Sequence, residues 1–218
     1  MEDIKLWKGY RFIKSEEDKA DTEQVLKKYF SPLKEIFTHV SAQSSWPNIG
    51  TLDFCDMSVK AKFLDHIVNI SSCDRSFIAA DRKESESNYP SNGLKRFEFL
   101  EILVRLANIK YVEPKYVDTF AEATEKLIKD CLLVNFHPEP WQEWRDKELW
   151  KIEVNDLLES NISNLQRIYN KFTTPIHMAL DHTDCIEMCI RDCNLNLTEK
   201  DILFCFGYCH MTIVNEER

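Results

Sequence analysis

At 218 residues, 44% apolar and 30% charged, the chain is long enough for one large domain or two small ones, each with a core of its own. Its formal charge of −9 excludes a non-specific grip on nucleic acid or on an anionic membrane, which needs a surplus of Lys and Arg, and 4 glycines are too few for a phosphate-cradling loop or a many-hairpin barrel. No apolar run reaches the roughly 18 residues of a membrane span, Met1 to Glu17 carries acids where a leader would carry bases, and the 8 cysteines of a chain this size read as free thiols in a reducing cytoplasm.

The expected elements are all helical. Lys5, Lys8, Arg11 and Lys14 mark a basic N-terminal arm, a solvated segment unless it meets an acidic surface. A first helix holds Leu33, Ile36 and Phe37, and Pro47 then leads into Leu52-Asp53-Phe54. Ser71 to Phe77 has the hydroxyl and acid of a helix start. Asp81 to Gly93 is a polar loop, and from Leu94 an amphipathic helix puts Phe99, Leu103, Leu106 and Ile109 on one stripe. Pro114 opens a helical stretch from about Val117 to Val134, with Phe120, Ala123, Leu127, Ile128 and Cys131 at helical spacing, broken at Phe136 to Pro140. Between Trp141 and Phe172, Leu158, Ile162, Leu165 and Tyr169 fall at steps of four, three and four, which predicts a buried helical face. Another helix start follows at Thr198 to Asp201.

Two segments share one order of landmarks. Leu33, Ile36-Phe37, Pro47 and Leu52-Asp53 are answered by Leu165, Ile168-Tyr169, Pro175 and Leu180-Asp181, with the same spacing from proline to Leu-Asp, and Ser71 to Phe77 is answered by Thr198 to Phe204. This predicts two copies of one helical module. The softest boundary lies between Lys110 and Lys115, giving a first module at 1–112 and, at 113–218, a helical linker plus a second module. The second copy reaches Arg218 where its loop would begin, so it is expected to be truncated or completed by another chain.

An aliphatic residue four places before an acid followed by Phe, at the start of an amphipathic helix, is the register of an EF-hand. Glu98 as position twelve places Leu94 at eight and Ser87 at one; Asp53 as position twelve places Ile49 at eight and Ala42 at one. Ile49 and Leu94 would then pair as the bridge between two hands. The ligand positions are degenerate: Ser87, Tyr89, Ser91, Lys95 and Glu98 in one loop and Ala42, Ser44, Trp46, Gly50 and Asp53 in the other, a single carboxylate each. No metal and no cofactor are expected.

Phe97-Glu98-Phe99-Leu100-Glu101 with Arg105 and Ala107 resembles the closing helix of the EF-hand-derived repeats of protist and ciliary proteins, and Phe77-Ile-Ala-Ala80 and Met211 to Glu216 resemble the helix that precedes the loop. Proteins of this kind are similar to the accessory and inner proteins of ciliary doublet microtubules. The resemblance implies a non-catalytic structural or adaptor role in a cilium axoneme, bound to other proteins of that cytoskeletal assembly or to tubulin, with no nucleic acid and no membrane. The alternative is a calmodulin-like calcium sensor.

Other chemistry is weaker. Cys185, Cys189 and Cys193, like Cys205 and Cys209, step by four as small core residues do, where zinc knuckles prefer turns, and no cysteine is paired by sequence with an activating base, so no catalytic residue is assigned. Trp141, Trp144 and Trp150 do not fit one stripe, and with Phe204 and Phe206 they are the candidate partner-binding residues.

Overall fold

The computed structural model describes residues 2–43, 46–81, 93–138, 140–173 and 179–211, and every regular element among them is helical. The protein is all-α. It divides into a first unit, 1–138 with 207–218, and a second, 139–206.

The first unit contains α1 (Glu2–Leu6), a single 3₁₀ turn (Gly9–Arg11), α2 (Glu16–Lys28), α3 (Phe30–Ser41), α4 (Thr51–Lys60) and α5 (Ile70–Ala80). Then come α6 (Arg96–Ala107), extended by a π turn (Asn108–Val112), and α7 (Phe120–Lys126), extended by a π turn (Leu127–Leu132) into α8 (Leu133–Asn135). Local chemistry sets these starts. Ser15 accepts the Asp18 N–H at 3.2 Å ahead of α2, whose first turn holds Glu16, Glu17 and Asp18 and whose last holds Lys27 and Lys28, the polarity its dipole favours. Asn69 accepts the Ser72 N–H at 3.0 Å ahead of α5. Thr119 caps α7, and Asp18 reaches across from α2 to take the Phe120 and Ala121 N–H groups at 3.1 and 3.2 Å.

The core gathers on α6. Phe99, Leu100, Ile102, Leu103, Val104, Leu106 and Ala107 are all buried, more than the single stripe the sequence predicts, because neighbouring helices cover it on several sides. Phe37 packs on Phe99 at 5.7 Å and Phe54 on Phe77 at 5.9 Å. Each fully buried Leu or Phe contributes roughly 1.5–3 kcal/mol. The arm is part of this packing: Ile4, Trp7 and Ile13 are buried, Asp3 pairs with Arg96 at 2.7 Å, and Arg105 stacks over Phe12 at 4.2 Å while binding the buried Glu101 carboxylate.

Ile49 and Leu94 form the antiparallel bridge expected from the loop register, with both N–H···O distances 2.9 Å. Gly93, next to it, has φ +133°, and a Cβ there would stand 2.3 Å from the Ile49 carbonyl oxygen, so glycine is required one place later than a calcium-binding loop wants it.

The second unit contains α9 (Trp141–Trp144) with a π turn (Arg145–Leu149), α10 (Ile152–Ser160), α11 (Ile162–Phe172) and α12 (His182–Ile186) with a π turn (Glu187–Asp192). It ends in the first part of α13 (Glu199–Met211), which from Gly207 onward belongs to the first unit. Asp181 and Asp184 box the start of α12, and Thr198 and Asp201 box that of α13. The two repeat copies differ in register here: Asp53 lies inside the first turn of α4, whereas Asp181 precedes α12 as its cap. The boundary read between Lys110 and Lys115 falls inside the first unit, where Tyr111 is buried.

Candidate interaction surface

Among the described residues of the second unit only Arg145 and Ile202 are buried. The stripe expected to be a buried face is instead open: Leu158 is 47% exposed, Ile162 58%, Leu165 41% and Tyr169 39%. Leu158 lies on α10 and the other three on α11, beyond the break at Asn161, and the α11 residues look across a hollow at Leu180, Met188 and Cys193. Of the nineteen large apolar side chains exposed among the described residues, eleven lie in this unit. That concentration makes it the candidate interaction surface.

Two hollows are lined in part by these residues. One, of 560 Å³, is lined by Leu149, Trp150, Ile152 and Leu158 with Lys151 and Asn155. The other, of 520 Å³, lies between α11 (Ile162, Leu165, Gln166, Ile168, Tyr169) and the segment holding Leu180, Met188 and Cys193. A thioether and aliphatic walls make an adaptable, apolar seat. Trp144 and Trp150 are exposed, and Trp141 is half-buried beneath the Arg145 guanidinium at 4.4 Å. Phe204 and Phe206 are half-buried on α13. Of the candidates, Trp150 lines one of these two hollows.

The electrostatics are lopsided. Residues 139–206 carry thirteen acids and seven bases, six of the nine net negative charges in under a third of the chain. Within the unit Lys147 pairs with Glu143, Lys151 with Glu148, Lys171 with Asp192 and Arg191 with Glu187. Glu153, Asp156 and Glu159, three residues apart on α10, form no ion pair among the described residues.

The degenerate hands read differently. Glu98 is buried and accepts the Lys95 N–H at 2.8 Å, so it caps α6; burial pushes its carboxyl up, the Lys95 N–H opposes this, and Asp81 adds to the rise. Asp53 sits in the first turn of α4, and Ser87 and Ser91 lie outside the described residues. Among the described residues no three His, Cys, Asp or Glu side chains converge as metal ligands. The thiols with shifted titration, Cys55, Cys73 and Cys189, are all pushed up by burial, Cys73 to about 11, away from the reactive thiolate. Cys185 and Cys189 are half-buried, and Cys193, Cys205 and Cys209 are exposed, so the C-terminal cysteines are not the core residues their spacing predicts.

What the sequence misses is the cluster beneath α6. Lys110, buried, donates to the Phe63 carbonyl at 2.9 Å and to Asp65 at 2.5 Å. Burial pushes Asp65 up, but the Lys110 ammonium and the Val68 and Ile67 N–H groups outweigh it and hold the carboxyl at about 2. No local spacing announces a partner 45 residues away.

Set against known protein families, curated proteins and solved structures, the chain matches none of them. No described helix is long and apolar enough to cross a membrane.

Proposed function

We propose that this chain is a non-catalytic adaptor of a larger protein assembly, anchored by a rigid first unit and completed through its second. The open α10–α11 face carries the reading: a unit of this size with two buried residues among those described, and two apolar hollows, gains stability chiefly from what covers it. The Ile49–Leu94 bridge, with a helix on either side of each bridging residue, supports reading the first unit as a pair of EF-hand-like modules kept for structure, and Glu98, spent on capping α6, supports a scaffold over a sensor. On the resemblance of the Phe97 to Ala107 helix, the setting is a ciliary axoneme, with inner proteins of doublet microtubules or tubulin as neighbours.

Lysine cross-linking in the native assembly, read by mass spectrometry, tests this. Lys147, Lys151, Lys171 and Lys200 are expected to give intermolecular links, the same in chelator as in calcium. A chain that sediments as a free monomer with only internal links, or links that form only in calcium, overturns the reading.

A further inference from the structure

The structure assigns the two hollows of the second unit to one kind of occupant: a basic amphipathic helix of a partner protein, its apolar face seated along α10 and α11. The inference rests on the adaptor reading and adds the chemistry of the partner. Helical partners anchor through side chains at i, i+3 or i+4, and i+7, and the two hollows, lined by Ile152 and Leu158 in one and Leu165 and Met188 in the other, offer apolar seats for such anchors.

Charge selects the sign of the partner. Glu153, Asp156 and Glu159 lie along one flank of the Ile152, Asn155 and Leu158 stripe, and the unit's own bases do not neutralise them. Asp181 and Asp184 add to the acidic rim while capping α12. A cationic helix would pair with these acids as its apolar face is buried. A second copy of this chain would instead bring together two like surfaces of the same excess charge, and an anionic lipid surface would be repelled in the same way.

The test uses the full chain and two labelled synthetic helices of about five turns with the same leucine face, one with lysine and one with glutamate on its polar face, followed by fluorescence anisotropy. The lysine peptide is expected to bind at least about tenfold more tightly than the glutamate peptide, and to weaken several-fold as salt is raised through the range that screens surface charge. The triple variant Glu153→Gln, Asp156→Asn, Glu159→Gln is expected to narrow that gap to about threefold or less, and Leu165→Glu to cost both peptides about tenfold or more. Circular dichroism of each variant confirms that the helices remain. Equal binding of the two peptides, binding of neither, or indifference to Leu165→Glu overturns the proposal. So does a dimer in sedimentation that Leu165→Glu dissociates, which makes a second copy the occupant. If native cross-links map to the second unit but reach a segment without basic residues, the adaptor reading stands and this inference falls; if no intermolecular link forms, both fall.

Discussion

Lys110 and Asp65 show how much a single pair can hold. An ammonium this deeply buried is costly unless hydrogen-bonded, and here the Phe63 carbonyl and the Asp65 carboxylate provide for it. Because the folded carboxyl is held at about 2, below its ordinary 3.8, the pair contributes its full stability above the ordinary value and loses it as pH falls from there through about 2. Asp65 stands at the surface, so Asp65→Asn is expected to cost about 1–2 kcal/mol at neutral pH, at the lower end for a charged hydrogen bond. Urea unfolding of the two proteins as a function of pH reads this directly. The gap between them should be constant near neutrality and close on acidification; a gap unchanged down to the folded value would show that the charge on Asp65 contributes nothing.

Between elements, the join of α2 to α7 depends on a cap contributed from another helix. Asp18 satisfies two N–H groups that α7 cannot satisfy itself, and Glu125 on α7 answers by binding Lys28 at 2.8 Å and the Tyr29 hydroxyl at 2.9 Å. Asp18→Ala is expected to cost about 1 kcal/mol, with Asp18→Asn retaining part of it as an acceptor. Thermal unfolding ranks the three, and equal midpoints would mean that water replaces the carboxylate without loss. This cap was not legible in the sequence, since its ends are 102 residues apart, whereas Thr119 three places before Glu122 is local and readable. The same division runs through the fold. The Ile49–Leu94 bridge follows from a local register, and the Trp144 and Trp150 exposures agree with their failure to share a stripe. Leu158, Ile162, Leu165 and Tyr169 repeat at helical steps yet are exposed and divided between two helices, because periodicity states neither where a helix breaks nor whether a core lies opposite. The cysteine steps of four misled for the same reason.

For the whole molecule, burial predicts an uneven distribution of stability. In the first unit α6 is enclosed by apolar neighbours, so its amides can reach solvent only when that unit unfolds; in the second, α10 and α11 hold their backbone hydrogen bonds with no buried side chain of their own to protect them. Hydrogen exchange by mass spectrometry on the full chain should therefore find α10 and α11 exchanging at least about a hundredfold faster than α6, a difference in opening free energy of about 3 kcal/mol or more. Any occupant that binds the covered form alone raises its opening free energy with the logarithm of one plus its concentration over its dissociation constant. Saturation with the lysine-faced helix should therefore slow α10 and α11 while leaving α6 as it was. If α10 and α11 exchange as slowly as α6 with nothing bound, the second unit is already complete in isolation, and its apolar face has no need of a partner.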